Sequence, residues 1–554
     1  MKQHSPMDTF VEASPSGPLA ASPVLSMTRR ARVLLAGVAS LALLSKILLA
    51  LKTYGTNDVY VYDQFSVWSR YLGVSLYRMD STFNHPPSMI YFLHFLSWVA
   101  VATGLPFSFW IRLPSILADT ANLWLVWKMV GERSQDRSIF WSLILLACAP
   151  TLILISGFHG NTDSVVIFFI LLTIYLVERD ATYQLERDAS AWVAGAAFSL
   201  AHCVKVFPLI VAPVILLNLS GRARKIKFCA AAGAVLLAAW SPFIFQDPQA
   251  IIGQVFGYRS VYGNWGLSFL ARQLPANQHW VQSLDTDFRL GGAYLTLGLV
   301  WIVSWRMNWE AVRPRLFSQA GLVFLLFLAV SNGFGVQYLS WLAPWVVELG
   351  WAPSAIFYAA SGVFLFLVYN FWSQGFPWYL ADSLNVGNYP GHFDHAELIC
   401  WFSVLVALGV AWRKIAITSG WKRLLPFPPL APEWRIAAGL IAACALYAIV
   451  PPQLPTPTPP GDKDESAVRF INADADLELS LRLGNLGRYE DALHAAQEAS
   501  SLLPDSAEAR AAIATAYASM GRWKEARESA EQSLRLDPQV EAARVVLKLA
   551  ASRR

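Results

Sequence analysis

The chain carries little charge for its length. Only 15% of its 554 residues are Asp, Glu, Lys or Arg, whereas 55% are hydrophobic. Long runs such as 226–245 and 396–412 leave no room for the polar stripe of a water-exposed helix. This composition excludes a soluble globular protein and predicts an all-α, polytopic transmembrane helical bundle.

Cysteine patterns and phosphate-binding motifs are also missing. The five cysteines lie within apolar runs and lack metal-ligand spacing, so a disulfide framework or a zinc site is not expected. No glycine-rich phosphate loop, dinucleotide fingerprint or Ser-His-Asp arrangement occurs. The net charge of +5 comes from short basic clusters between apolar runs, which report topology and do not indicate nucleic-acid binding.

These basic clusters decide which side each loop faces. They lie near residues 133–137, 222–227, 306–315 and 413–423, and all fall on one side only if the apolar segment 86–104 does not cross the membrane. By the positive-inside rule that side is cytoplasmic, as is the Pro/Ser-rich tail 1–30, which we expect to be disordered. Segment 86–104 is then predicted to be an interfacial helix on the outer surface.

About thirteen spans follow from this reading. They are predicted at 33–51, 108–130, 138–156, 164–178, 190–204, 206–219, 228–245, 290–306, 316–332, 336–350, 353–371, 396–412 and 435–450. The two spans that meet near Lys205, at 190–204 and 206–219, are too short for two full crossings. We therefore predict a pair of short helices that leaves a cavity.

The outward loops carry most of the polar residues that suit chemistry. These loops are 52–107, 157–163, 246–289 and 371–395. They hold Asp58, His85, His159, Asp163, Arg259, His392, Asp394 and His395. A reaction, if the protein catalyses one, is therefore predicted on the extracytoplasmic side.

The composition changes after the membrane domain, which we place at 31–450. A proline-rich linker at 451–466 precedes an alanine-rich region at 467–554. There Gly487, Tyr489, Ala492 and Pro504 recur 34 residues later as glycine, tryptophan, alanine and proline, which is the tetratricopeptide period. We predict a small α-solenoid, closed by a helix at 541–551, on the same outer side and able to bind a protein partner.

The membrane region resembles a known family in the order of its motifs. The motifs are Asp58 after the first span, Phe83-Asn84-His85-Pro86-Pro87, Arg112-Leu113-Pro114, Phe158-His159-Gly160-Asn161-Thr162-Asp163, Lys205-Val206-Phe207-Pro208 and Asn332-Gly333-Phe334-Gly335-Val336-Gln337-Tyr338. Together, over about residues 30–415, they resemble the GT-C glycosyltransferases, integral membrane enzymes that use polyprenyl-phosphate sugars on the outer or luminal face. The addition of repeats is similar to eukaryotic protein O-mannosyltransferases.

The resemblance implies a specific reaction. A hexose, with mannose favoured, would pass from a polyprenyl-phosphate donor to a hydroxyl of a glycan, lipid or protein acceptor, with inversion. No cofactor is expected, although a divalent metal is left open, and the cluster at 392–395 is too small to predict a metal site. The enzyme would be a multi-pass protein of the plasma (inner) membrane.

Two carboxylates are the predicted catalytic residues. Asp58 matches the acid of the family's first outer loop and is assigned as the base, with Asp63 as the rival. Asp163 would orient the acceptor or share the proton. Each has a structural alternative, because Asp58 or Asn57 could cap a helix that begins near Val59, and Asp163 could cap the span that begins at residue 164.

Two cations are the predicted ligands of the donor phosphate. Arg259 lies in a loop rich in aromatic and glycine residues, although it could instead anchor the loop to lipid head groups. Lys205 lies where two short helices meet, and its alternative partner is Asp119. Arg112 and Asp119, seven residues apart in one span, are predicted to form a structural ion pair.

Four more residues are predicted to contact substrates. His85 precedes the interfacial helix, although the two prolines after it could explain the motif alone. His159 could instead be a solvated or capping side chain, and Gln337 and Tyr338 could bind sugar hydroxyls or anchor a helix. Two other functions stay open: a transporter or flippase for lipid-linked saccharides, and an inactive scaffold that recruits partners through its repeats.

Overall fold

The computed structural model describes residues 28–80, 83–183, 188–258, 260–272, 278–309, 313–383, 393–418 and 465–552. Helices occupy twelve of the predicted span positions. The predicted tail up to residue 27, the thirteenth span at 435–450 and the linker up to residue 464 lie outside the described residues.

The membrane region is built from eighteen α-helices. They are α1 Arg29–Lys52, α2 Asn57–Leu72, α3 Leu76–Met79, α4 Ser88–Thr103, α5 Phe107–Val126, α6 Arg137–Ala147, α7 Pro150–Leu152, α8 Asp163–Tyr183, α9 Asp188–Val204, α10 Ala212–Asn218, α11 Arg222–Ile244, α12 Pro248–Gly257, α13 Gly266–Arg272, α14 His279–Trp309, α15 Leu316–Val330, α16 Leu339–Val346, α17 Trp351–Trp372 and α18 Phe393–Thr418, counted within the described ranges. Short non-α turns extend several of them, notably Ile153–His159 after α7 and Phe207–Val211 before α10.

Fewer of these helices are long enough to cross a bilayer than the sequence predicts. Six have the length and apolar composition of a span, and a seventh crossing arises if the bent pair α4–α5 counts as one. Shorter apolar helices at 189–204, 207–218 and 316–330 fill three other predicted positions. The pair that meets near Lys205 is therefore short, as predicted, because a 3₁₀ turn containing Pro208 separates the two helices.

Helix α4 turns away from α5 by 116°. The turn follows Gly104, whose φ of +70° ends α4 in the left-handed conformation. One face of α4 exposes Tyr91, Phe95, Trp98 and Val101. This apolar stripe, running across the direction of α5, supports the prediction of an interfacial helix.

Two very small sheets hold together loops at one end of the bundle. Strand β1 (Gly55–Thr56) pairs in parallel with β4 (Leu380–Ala381), and β2 (Val261–Tyr262) pairs antiparallel with β3 (Gly333–Phe334). The first pairing fixes the start of α2, and the second brings the loop after α12 to the start of α16. Loops distant in sequence therefore meet at one end of the bundle.

The C-terminal region is a helical solenoid, as predicted. Its helices are α19 Glu465–Asn485, α20 Tyr489–Leu502, α21 Ala507–Ser519, α22 Trp523–Leu536 and α23 Glu541–Ala551. Gly487 and Gly521 both have a φ of +75°, which explains why glycine recurs at the turn within each repeat. Its first helix packs on α2, because Leu479 and Leu483 belong to the same buried cluster as Trp68.

Candidate functional site

Asp58 lies in the first turn of α2 and faces a cavity. The helix begins at Asn57 with Thr56 as its N-cap, so the alternative reading of Asp58 as a cap is wrong. The Asp58 carboxylate instead contacts the loop before α8: Oδ2 accepts from Nε2 of His159 at 3.0 Å and from Nδ2 of Asn161 at 3.2 Å. Oδ1 has no hydrogen-bond partner within the ranges that the structure describes.

The loop that holds Asp58 is itself tightly constrained. The hydroxyl of Thr56 donates to the carbonyl of His159 at 2.7 Å. Gly160 has a φ of +87°, and a Cβ there would lie 2.3 Å from Cγ2 of Val59. Only glycine therefore lets this loop pass so close to the first turn of α2.

His159 lies behind Asp58 and away from the cavity. Its side chain is only 4% exposed, and its Nδ1 lies 2.9 Å from the hydroxyl of Tyr369 on α17. His159 is absent from the cavity lining, so its predicted contact with substrate finds no support in its position. The histidine orients the carboxylate.

Lys205 faces the same cavity from the break between α9 and α10. Its ammonium donates to Oδ1 of Asn161 at 2.7 Å and lies 3.0 and 3.1 Å from the two carboxylate oxygens of Asp163. Asp163 is fully buried and begins α8, so its carboxylate pairs with Lys205 and does not line the cavity. Asn161 thus connects the Asp58 carboxylate to the Lys205 ammonium.

Two predicted ion pairs are wrong. Asp119 pairs with Lys46, whose Nζ lies 2.5 Å from its Oδ2, and contacts neither Lys205 nor Arg112. Arg112 donates to backbone carbonyls instead, including Ala50 at 2.7 Å and Gly157 at 3.2 Å. Arg112 and Asp119 share a helical face but do not pair, because α1 supplies both with other partners: carbonyls at its end for Arg112 and the ammonium of Lys46 for Asp119.

The cavity has a volume of about 360 Å³ and a mixed polar and aromatic wall. The wall contains Asn57, Asp58, Val61, Tyr62, Phe65, Asn84, His85, Pro86, Asn161, Lys205, Val206, Phe207, Val255, Tyr258, Gln337, Tyr338 and Trp341. The structure therefore brings Asp58, Lys205, His85, Gln337 and Tyr338 together around one space. Arg259, which follows Tyr258 of this wall, lies outside the described residues.

An aromatic platform forms one side of the cavity. The rings of Phe207 and Trp341 stack at 3.8 Å, and those of Tyr338 and Trp341 stack at 4.1 Å. Such flat apolar faces suit a sugar ring or an isoprenoid chain. Sequence reasoning assigned Tyr338 of this platform to substrate binding but gave no role to Trp341 or Tyr369, because single aromatic residues in apolar spans give no signal of their own. It also gave no role to Asn161, although this residue lies in the motif at 158–163.

Electrostatics favour an ionised Asp58. Burial opposes its charge, but the contact with His159 and the charge of Lys205 outweigh this effect and lower the pKa of Asp58 below its usual range. Burial and the charge of Lys205 lower the pKa of His85 to about 3, so His85 is neutral near pH 7. At neutral pH the site therefore presents a carboxylate, an ammonium and a neutral imidazole.

Asp63, the rival base, lies on another side of α2. It does not line the cavity, and burial raises its pKa to about 7. No group of three or more His, Cys, Asp and Glu residues suited to a metal ion occurs among the described residues. Residue 392 and the side chain of Asp394 lie outside them.

Two regions of the chain match known protein families. Residues 84–245 match the family model described as "Dolichyl-phosphate-mannose-protein mannosyltransferase", and residues 486–549 match a tetratricopeptide repeat model. One solved structure, titled "Crystal Structure of ArnT from Cupriavidus metallidurans bound to Undecaprenyl phosphate", is 14% identical over 76% of each chain, with a TM-score of 0.40. No curated protein matches the chain. On the match of residues 84–245, the chain carries a domain of this GT-C glycosyltransferase family within a helical membrane protein that ends in tetratricopeptide repeats.

Proposed function

We propose that the protein transfers a hexose, mannose-like, from a polyprenyl-phosphate donor to a hydroxyl of an extracytoplasmic acceptor. One observation carries the proposal: Asp58 and Lys205 face one cavity, with a free carboxylate oxygen on one and an ammonium on the other. A base and a phosphate-binding cation are the two groups that this displacement needs.

Asp58 is the base. Its Oδ2 is held by His159 and Asn161, which leaves Oδ1 to accept the proton of the acceptor hydroxyl. The acceptor oxygen then bonds to C1 of the sugar as the bond from C1 to the phosphate oxygen breaks. The polyprenyl phosphate leaves with the bonding electron pair, and a single displacement inverts the anomeric centre.

Lys205 binds the donor phosphate in this mechanism. Its ammonium already neutralises Asp163, and it reaches the cavity, where a phosphate offers further oxygen ligands. Arg259, next to Tyr258 of the cavity wall, is proposed as a second phosphate ligand. His85, Gln337 and Tyr338 are proposed to hydrogen-bond the sugar, while Asp163 holds Lys205 in place.

The acceptor is proposed to be a protein or a glycan carried by one. Support comes from the repeats, which pack on the helix that bears Asp58 and belong to a class that binds peptides. A transporter of lipid-linked saccharides gains no specific support from three charged residues within the described spans, Lys46, Asp119 and Arg112, because all three have partners inside the protein.

The test compares Asp58→Asn with the wild type in purified form. Transfer of radiolabelled mannose from its undecaprenyl-phosphate ester is measured with an extracytoplasmic extract as the source of acceptors. Loss of the base should reduce transfer by roughly 10²- to 10⁴-fold while donor binding is kept. Asp287→Asn removes the same charge at an exposed position on α14 and should transfer normally.

Each alternative has its own result. If the wild type binds the lipid but transfers no sugar, and vesicles containing it move the lipid across the bilayer, the transporter function replaces this proposal. Equal transfer by wild type and Asp58→Asn would remove Asp58 from the mechanism.

A further inference from the structure

We propose that Tyr369 is a positioning residue for the reaction, which acts on Asp58 through His159 and sets the tautomer of that histidine. This inference rests on the proposed role of Asp58 as the base. Tyr369 lies on α17, more than 300 residues from Asp58 in sequence, and is fully buried. It does not line the cavity, so it cannot touch a substrate directly.

The contacts form a continuous chain. The Tyr369 hydroxyl lies 2.9 Å from Nδ1 of His159, and Nε2 of the same ring lies 3.0 Å from Oδ2 of Asp58. The ring is buried, and each of its two nitrogens has one of these partners. The hydroxyl of Tyr369 has no other hydrogen-bond partner among the described residues.

Hydrogen-bond chemistry assigns the protons. An ionised Asp58 only accepts, so Nε2 of His159 must carry a proton. A neutral imidazole then has a bare Nδ1, which needs a donor, and the Tyr369 hydroxyl supplies one. Without that donor, the tautomer that points a lone pair at the carboxylate becomes more populated, and Asp58 loses part of its alignment.

Packing alone does not explain why residue 369 is a tyrosine and carries a hydroxyl. Tyr369 also contacts the rings of Phe158 and Trp372, and a phenylalanine would keep both contacts. The same helix offers a matched comparison: Tyr358 is also buried, and its hydroxyl donates to the carbonyl of Ala343 at 2.6 Å; neither residue lines the cavity.

The test compares Tyr369→Phe with Tyr358→Phe in the full-length protein. Tyr369→Phe should lower kcat for mannose transfer from undecaprenyl-phosphate mannose by about tenfold with KM for the donor unchanged. The acid limb of the kcat/KM profile should move to higher pH, because a carboxylate that loses a hydrogen-bond donor is harder to ionise. The other ionisable groups that face Asp58 are the same in both variants; they are His159, Lys205, His85, Tyr60, Tyr62 and Tyr258.

Tyr358→Phe should lose a similar amount of thermal stability but keep the wild-type kcat and pH profile. If the two variants match each other in kcat and in pH profile, the hydroxyl of Tyr369 is structural and the proposal fails.

A second measurement does not depend on activity. Selective ¹⁵N labelling of the nine histidines reports imidazole tautomers by NMR, and His159→Gln identifies the signal of His159. We expect Tyr369→Phe to change the His159 signal and Tyr358→Phe to leave it. An unchanged His159 signal overturns the proposed role of Tyr369. If the signal changes but the protein transfers no sugar, Tyr369 still sets the His159 tautomer, and only the proposed transfer reaction is rejected.

Discussion

Lys205 combines two tasks in one side chain. It faces the cavity, and it neutralises Asp163, which is completely buried. Removal of one partner of a buried pair leaves an uncompensated charge, which costs more than the pair itself contributes.

Lys205→Met is therefore expected to lower the free energy of unfolding by about 3 kcal/mol and to weaken donor binding. The double variant Lys205→Met/Asp163→Asn removes the unpaired charge, so it should regain much of the stability but none of the binding. Thermal unfolding and binding of undecaprenyl phosphate separate the two effects. Lys128→Met breaks a partly exposed pair with Glu132 and should change the stability by less than about 1 kcal/mol. Donor binding that recovers in the double variant would contradict the proposed role of Lys205.

The element that positions the base is the loop between the turn at 153–159 and α8. Gly160 allows this loop to approach α2, and Thr56 and Arg112 donate to the carbonyls of His159 and Gly157, just before it. The position of Asp58 thus depends on how two elements pack, as well as on its place in α2.

Gly160→Ala should displace the first turn of α2 and reduce transfer by at least about tenfold, since small misplacements of a catalytic group are costly. Gly104→Ala is the control: its φ is also positive, at +70°, but no atom lies within 4 Å of the added Cβ. It should cost only about 1 kcal/mol of backbone strain and leave transfer intact. Similar activity losses in both variants, measured at equal folded fractions, would show that backbone strain alone explains the effect.

The repeats and the membrane region form one packed unit. Arg482 of α19 lies over the ring of Trp68 at 5.2 Å and donates to the carbonyl of Met79 at 2.6 Å, while His494 of α20 contacts the hydroxyl of Tyr71. Two acids belong to this interface: burial raises the pKa of Asp63 to about 7, and burial together with Glu498 and Asp63 raises the pKa of Asp476 to about 8.

These shifts predict a pH-dependent interface. A carboxyl group with a raised pKa in the folded state stabilises the fold fully below the unfolded pKa near 4, and this stability is lost as the pH rises through 7 to 8. The melting temperature of the full chain should fall as the pH rises from 5 to 8.

Asp476→Asn should flatten this dependence and raise the melting temperature at pH 8 by about 3 °C. Asp505→Asn, at an exposed position in the repeats, should leave the dependence unchanged, and an unchanged slope in Asp476→Asn would show that Asp476 does not titrate in this range.

The sequence alone determined the class of the protein and the position of its elements. Apolar runs leave few alternatives to helices in a membrane, and a period of 34 residues specifies the repeats, because both signals can be read directly along the chain. The set of candidate residues was also largely readable, since polar groups between apolar runs are rare. The outward orientation of the site and of the repeats stays a prediction.

Only the tertiary structure decided which of these residues meet. Pairing of side chains in a helical bundle depends on the rotation and depth of each helix, which sequence spacing does not specify. For this reason the ion pairs of Asp119 with Lys46 and of Asp163 with Lys205 could not be predicted from the sequence. The same packing placed His159 behind Asp58, and it brought Tyr369 into contact with His159, from which it is separated by 210 residues in the sequence. The docking of the repeats on α2 was equally invisible in the sequence, because the contacting residues on each side are ordinary helix-surface residues until the two surfaces are brought together.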